Sequence, residues 1–406
     1  MAVPAATALA QEFPILARDG LVYLDSAATA QKPRVVVEAM QDLLLHHNSN
    51  VHRGTYPLAI DATDRFEAAR ERIARFTGST AHETIFTKNA TEALNLAAAA
   101  WGRANIGAGD AIVLSVMEHH SNIVPWQLLA QATGAQLRYL EVDDDAKLSL
   151  DQLDELLADG RVRIVAVAHI SNVLGTLNPV EQIVEHAHAA GALALIDGAQ
   201  AVPQIPVDVA AIGADFYAWT GHKAYGPTGV GVLHGRYELL QAMPPFLGGG
   251  SMIRTVERER STYADPPAKF EAGTPPIAEV VGLGAAVDFL DSIGMELVRA
   301  HELELTAYAL EALGRVPGLH AHGPRAAADR GALISFALEG VHPHDVSEIL
   351  GRDDICVRAG HHCAQLVMRL LDVPATSRAS FAVHNTREDI DRLVEGLGRV
   401  IEIFGG

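Results

Sequence analysis

The stretch DFYAWTGHKAYGPTG (Asp215–Gly229) decides how this chain is read. Asp215–Trp219 is a strand-like run, and Lys223 follows it at once, set among Thr220, Gly221, His222 and Gly226. A short apolar run bounded by turn residues reads as a buried strand. An amine becomes nucleophilic only when it loses its proton, and burial at a strand end favours that loss. Taken alone, Lys223 is more simply a solvated loop lysine. Its neighbours along the sequence argue otherwise.

Working outward, the first two thirds of the chain alternate short β-branched runs with longer helical patterns. Thr84–Thr87, Ala111–Val116, Arg163–His169, Ala192–Ile196, Asp215–Trp219 and Gly229–His234 read as strands, and Thr91–Trp101 and Ile123–Thr133 as helices. The apolar runs are continuous rather than alternating, as in strands covered on both faces. Strands alternating with helices predict βαβ units, an α/β fold and a mostly parallel sheet flanked by helices. The texture changes after about residue 282. Ala285–Leu313 is a long helical stretch with a break near Gly294, Ala332–Leu338, Ile355–Val357 and Arg378–Val383 are strand-like, and Thr386-x-x-Asp389 opens a last helix through Leu397. The expected division is a large domain over 21–282 and a smaller α+β domain from 1–20 and 283–406. Between the halves Pro244–Pro276, with its Gly248–Gly250 run, is expected to be a long functional loop.

Bulk composition narrows the function classes. Of 406 residues, 49% are hydrophobic and 20% charged, enough for a sizeable core. Aromatics are only 5%, so Ala, Val, Leu and Ile must fill much of it. A net charge of −19 without a basic cluster argues against nucleic acid and against an anionic membrane surface. Two cysteines, Cys356 and Cys363, are too few for a disulfide framework and lack Cys-x-x-Cys spacing, which points to a reducing cytoplasm. No apolar run is long enough to span a bilayer. Met1–Ala17 has no basic residue, so no secretory signal is expected.

Three further segments give Lys223 its context. Asp197, in ALIDGAQ, ends a strand of Ala and Leu. A carboxylate there is costly unless paired. The protonated pyridine of pyridoxal 5′-phosphate would be such a partner, because an aspartate facing the ring nitrogen keeps the ring an electron sink. Gln200 could bond the ring's 3-oxygen; helix capping is the competing reading of Asp197. Lys88-Asn89-Ala90-Thr91-Glu92 follows a strand and opens a helix, so the N–H groups near Ala90 and the Thr91 hydroxyl can cradle a phosphate, with Thr220 and His222 completing the cup. In Glu118-His119-His120-Ser121-Asn122, a flat imidazole could lie on the ring, and no third ligand with sensible spacing supports a metal. Finally, VRAGHHCA (Val357–Ala364) presents Cys363 beside two histidines and an arginine, whose positive charge favours a nucleophilic thiolate. Cys356, inside an apolar strand, reads as an inert thiol.

Together these segments resemble the SufS-type (group II) cysteine desulfurases, class V enzymes of the fold-type I pyridoxal phosphate-dependent transferases. The resemblance runs through YLDSAATAQKP (Tyr23–Pro33), NVHRG (Asn50–Gly54), FTKNATEALNL (Phe86–Leu96), MEHHSNIVPWQ (Met117–Gln127), HISNVLGTLNP (His169–Pro179), DGAQ (Asp197–Gln200), TGHKAYGPTGVG (Thr220–Gly231), EAGTP (Glu271–Pro275), VRAGHHCAQ (Val357–Gln365) and RASF (Arg378–Phe381). It implies that Lys223 holds the cofactor as a Schiff base and later moves the Cα proton. Asp197 would pair with the pyridine nitrogen, Gln200 with the 3-oxygen, and His120 would stack on the ring. Ala90, Thr91, Thr220 and His222 would hold the phosphate, and Thr274 would reach the phosphate in the partner subunit of a homodimer. Arg378 and Asn172 would hold the substrate carboxylate, with His52, Arg358 and His362 lining the pocket. Cys363 would take sulfur from L-cysteine as a persulfide, releasing alanine, for a SufU- or SufE-type acceptor and iron–sulfur cluster assembly. In VHPHD (Val341–Asp345), His344 resembles the histidine of the branch that works with a zinc-containing SufU-type acceptor.

The chain departs from the family pattern at Tyr56, Ser251, Leu366, Ser377, Ala382 and His384. None removes a catalytic group, but they leave room for a specialised sulfur-mobilising paralogue or a selenocysteine lyase acting on L-selenocysteine. An aminotransferase has no need of Cys363. A thiol hydrolase without the cofactor lacks a convincing His and Asn or Asp pair downstream, and a non-catalytic scaffold does not account for the full Lys223, Asp197, Gln200 and Cys363 set.

Overall fold

In the computed structural model, which describes residues 6–404, seven strands form the central sheet. Their spatial order is Thr84–Thr87, Gly231–Gly235, Phe216–Thr220, Leu193–Asp197, Val162–Ala168, Ala111–Ser115 and Gln136–Leu140. All neighbours are parallel except Gly231–Gly235, which runs antiparallel to both strands beside it. Side chains alternate between faces along each strand. Val165, Val167, Ala194, Ile196, Tyr217, Trp219 and Val232 pack in one buried cluster, and Ile164, Ala166, Leu195, Phe216, Ala218 and Leu233 in another. Two covered faces are the reason these strands read as unbroken apolar runs.

The parallel arrangement brings the carboxyl ends of several strands to one edge, where ligands of open α/β sheets bind. Ser115, Ala168, Asp197 and Thr220 end their strands there. Beside them the helix Ala90–Leu96 runs on as a π-helical stretch, Ala97–Gly102. The helix start approaches the sheet so closely that a Cβ at Gly231 would lie 2.4 Å from the Asn89 backbone, so only glycine fits.

A second, antiparallel sheet has the order Leu319–His322, Leu333–Leu338, Thr376–Ser380, Arg358–Gly360. It shares a separate core with the helices Met295–Leu313, Pro343–Arg352 and Arg387–Phe404, through residues such as Leu305, Ile334, Phe336, Leu350, Leu393 and Leu397. The short strand Val22–Tyr23 pairs in parallel with Ile355–Cys356, and Asp25 bridges to Ser380.

The packing redraws several expectations. Helix Ile277–Ile293 runs straight through residue 282, and its Leu283, Ala286, Val287 and Leu290 join the large core, as do Leu9 and Phe13. Val22 and Leu24 join the small one. The helix pair breaks at Gly294, whose φ is 89°, and Val298 beyond the break still packs in the large core. Residues 1–5 and 405–406 of the expected small domain lie outside the described residues. Pro244–Pro276 is not bare loop: it carries the hairpin Ile253–Val256/Ser261–Tyr263 and a turn of 3₁₀ helix at Ala268–Phe270. The strand expected over Arg378–Val383 is Thr376–Ser380, because the side chain of Asn385 takes the Ala382 N–H and turns the chain away from the sheet. No helix among the described residues is long and apolar enough to cross a membrane.

Candidate active site

At the sheet's carboxyl edge lies a cavity of about 270 Å³ that gathers residues from both sheets. Asn89, Ala90, Thr91, His119, Asn172, Asp197, Gln200, Thr220, His222 and Lys223 line it from the large sheet's side, and Arg358, His362, Cys363 and Arg378 from the small sheet's side. The two sets lie more than a hundred residues apart in sequence and meet only through the tertiary fold.

Lys223 follows the strand Phe216–Thr220 in a tight turn, where Ala224 N–H and Gly226 N–H both donate to Gly221 O at 3.0 and 2.9 Å. Burial pushes its ammonium down from 10.5 to about 8; the charge of Asp197 opposes this, and those of Arg378 and Arg358 add to it. Asp197 is buried at the end of its strand, and its carboxylate takes one N–H, from Ala199 at 3.0 Å. Burial raises its pKa, against the pull of that N–H and of Lys223. Among the described residues no cation lies within ion-pair distance of this buried carboxylate. Gln200 donates to Ala27 O at 2.8 Å.

The thiol sits on a strained turn. Gly360, His362 and Cys363 have φ of 131°, 51° and 56°, so two consecutive non-glycine residues occupy left-handed backbone. Each costs on the order of 1 kcal/mol or more. The surroundings hold the turn in place. Asn172 donates to His362 O at 2.7 Å, His120 N–H donates to Cys363 O at 2.7 Å, and the His362 ring bonds Thr376 Oγ1 at 2.9 Å. The result exposes Cys363 at the cavity mouth while His362 is buried behind it. Burial pushes the His362 imidazole down to about 3 and that of His222 to about 4, so both are neutral near pH 7.

Arg378 is buried on the strand Thr376–Ser380 and donates to Asn172 O at 2.8 Å. Its Nε has no partner, nor have Asn172 Oδ1, Thr220 Oγ1 and His362 Nδ1. Asp25 stands between Arg378 (3.5 Å) and Arg358 (3.1 Å). Orphaned buried donors and acceptors converging on one cavity signal a bound group. The set fits pyridoxal phosphate: an amine for its aldehyde, a carboxylate for its ring nitrogen, and a helix start together with the unpartnered Thr220 hydroxyl for its phosphate.

Some residues singled out from the sequence lie elsewhere. His119, not His120, faces the cavity; burial and the charge of Lys223 hold its imidazole at about 3. Neighbouring residues entering the 3₁₀ turn His120–Asn122 point apart, and the His120 ring instead accepts from Gln365 N–H at 3.0 Å. His52 is outside the cavity as well. With φ of 72° it turns outward to bond Glu67 at 2.7 Å, in a second concavity with Arg70, Glu271 and Gly273. Thr274 is exposed beside that concavity. His344 is exposed at the start of helix Pro343–Arg352, its ring 5.0 Å from that of His342. Sequence reasoning also missed Asp25 and Glu118. Glu118, next to His119, is fully buried and holds Asn122 at 2.7 Å and Ala168 N–H at 3.0 Å; burial raises it to about 7. A carboxylate closing a strand in the Glu118–Asn122 motif was the available signal.

Comparison with known proteins points to one family. A family model described as aminotransferase class-V matches residues 22–393. A probable cysteine desulfurase of Streptomyces coelicolor is 52% identical, covering 98% of this chain and 97% of that protein. The cysteine desulfurase of Dickeya dadantii is 48% identical, covering 97% and 96%. Among solved structures, the cysteine desulfurase CsdA of Escherichia coli superposes with a TM-score of 0.92 at 40% identity, covering 99% of this chain and 100% of that one. A cysteine desulfurase from Thermococcus onnurineus gives 0.94 at 37%, covering 100% and 99%.

Proposed function

The chain belongs to the aminotransferase class-V family of pyridoxal phosphate enzymes, and from that premise we propose how its residues carry out the reaction of a cysteine desulfurase, L-cysteine being converted to L-alanine. The observation that carries the reading is the meeting of Lys223 and Cys363 in one cavity: a buried amine pushed toward neutrality and an exposed thiol on a strained turn.

Pyridoxal phosphate, when bound, supplies the electron sink that lets bonds at the substrate's Cα and Cβ break. Asp197 would pair with its ring nitrogen, Gln200 with its 3-oxygen, and Ala90, Thr91, Thr220 and His222 with its phosphate. His119, which lines the cavity, would pack against the ring in place of His120. Arg378, whose Nε is free, takes the substrate carboxylate with Asn172. A guanidinium suits that task because it binds a planar carboxylate through two N–H groups. Lys223 moves the Cα proton, having a proton-free form at neutral pH. Cys363 Sγ forms the new S–S bond to the substrate sulfur as the Cβ–S bond breaks. The products are alanine and a Cys363 persulfide.

The thiol's tether is short, and the Cys363 carbonyl is pinned by His120 N–H. Sulfur then cannot travel far on the enzyme, which supports a SufS-type enzyme whose acceptor, of SufU or SufE type, docks at the cavity mouth. His344 is assigned to that contact, and Thr274 to the phosphate site of the partner in a homodimer. We place the enzyme in the cytoplasm, feeding iron–sulfur cluster assembly. The test is alanine release from L-cysteine, with peptide mass spectrometry of Cys363. Wild type should gain one sulfur on Cys363, while Lys223→Ala and Cys363→Ser release no alanine. Alanine release at the wild-type rate by Cys363→Ser would overturn the role of the thiol. Selenide release from L-selenocysteine by Cys363→Ser separates the lyase activity.

A further inference from the structure

The peptide bond joining His222 to Lys223 is held from outside its own turn. Its carbonyl oxygen, His222 O, accepts from three donors of one distant segment: Ala30 N–H at 3.0 Å, Thr29 Oγ1 at 3.2 Å and Lys32 Nζ at 2.9 Å. Lys32 Nζ also donates to Ala30 O at 2.5 Å, so the same ammonium ties the clamp to its own backbone. No carboxylate pairs with Lys32 among the described residues, and burial pushes its amine down to about 8. The segment is anchored elsewhere too. Ser380 Oγ accepts from Ala27 N–H at 2.9 Å, Ala27 O accepts from Gln200 at 2.8 Å, and Tyr23 donates to Thr29 O at 2.7 Å. Ala27 and Ala28 themselves line the cavity.

The plane of this peptide sets the direction in which the Lys223 side chain leaves the backbone, because ψ of His222 and φ of Lys223 flank it. Three donors from a segment rooted in both sheets fix that plane against rotation. We propose that Lys32, through the His222 carbonyl, is a positioning residue that aims the Lys223 amine into the cavity. The proposal rests on Lys223 being the cofactor-bearing amine. Lys32 itself makes no contact with substrate or cofactor in this assignment. It acts on the chemistry only through the geometry of its neighbour, where a misplacement of about 1 Å costs on the order of a hundredfold in rate.

The experiment uses the holoenzyme and four variants. Lys32→Met keeps the length of the side chain and removes its donors; Lys32→Arg restores them. For Lys32→Met, kcat for alanine release should fall about tenfold to a hundredfold while KM for L-cysteine stays within about twofold. The visible circular dichroism per bound pyridoxal phosphate should fall by about half or more, since that band reports how asymmetrically the protein holds the ring, and a merely stabilising residue would leave it unchanged. Lys32→Arg should recover most of both signals. A kcat within about twofold of wild type together with an unchanged dichroic band overturns the proposal, as does a rise in KM at constant kcat. If Lys32→Met does not fold, Thr29→Val removes one donor of the three. A fall of about threefold in kcat with the same change in the band then supports the clamp, and an unaltered band overturns it. Lys223→Ala checks the underlying assignment separately: retention of the cofactor's Schiff-base absorbance there would remove Lys223 from its role.

Discussion

In the cofactor-free protein, the Lys223 amine should titrate near pH 8. Burial displaces it from 10.5 to about 8. At pH 7 the neutral fraction of an ordinary lysine is on the order of 1 in 3,000, and that of an amine titrating at 8 is about 1 in 10, a gain of roughly 300-fold in nucleophile. Competitive labelling with a trace acylating reagent over pH 6–10, followed by peptide mass spectrometry, reads the reactivity of Lys223 directly, with exposed Lys88 in the same sample correcting for reagent loss. The curve for Lys223 should rise through a midpoint near 8. The sign of the neighbouring charge gives an internal check. Asp197 favours the ammonium, so Asp197→Asn should move the midpoint to lower pH, whereas loss of the positive charge in Arg378→Met should move it up. A midpoint near 10.5, or a shift of opposite sign in Asp197→Asn, would refute the argument that burial prepares this amine.

Replacing Arg378 by lysine should raise KM for L-cysteine about 10- to 100-fold, the loss of one charge-assisted hydrogen bond and of the planar fit, as steady-state alanine release will show. His119→Ala should lower kcat about a hundredfold while His120→Ala lowers it less than about tenfold; the reverse order would restore His120 to the cavity. His384 is buried against Phe13 at 5.0 Å with neither ring nitrogen bonded, and burial holds it at about 4. The unfolded chain binds this proton more readily, so stability is lost as pH falls from about 6.5 toward 4. Wild type should lose about 2 kcal/mol from this group between pH 7 and 5, and His384→Phe should escape that part of the loss in urea melts at the two pH values. With a zinc-containing acceptor, the ratio of turnover with to without acceptor should drop towards one in His344→Ala; an unchanged ratio removes His344 from the docking surface.

Much of this was legible in the chain because the determining signals are local. Strands such as Leu193–Asp197 and Val162–Ala168 are covered on both faces, and that cover leaves an uninterrupted apolar run for which only a small shift of ends remained to be found. Polar residues placed just beyond such runs, Asp197, Lys223 and the Asn89–Thr91 helix start, announce a site because nothing else explains charge or free donors there. The helix expected to begin at Ala285 starts instead at Ile277, since its first turns are apolar but for Glu279 and carry no periodic stripe to mark a start.

By itself the sequence determined the α/β class and marked Asp197, Lys223 and Cys363 as chemical residues at strand ends and in a loop, since strand burial and strand-end polarity are written in neighbouring residues. Tertiary structure alone decided which of two adjacent histidines faces the cavity and that His52 faces away. It also decided that Asp25 bridges two arginines and that the His222 carbonyl is clamped from residues 29–32. Those outcomes depend on side-chain direction and on contacts between segments nearly 200 to more than 300 residues apart, and no local pattern carries that information.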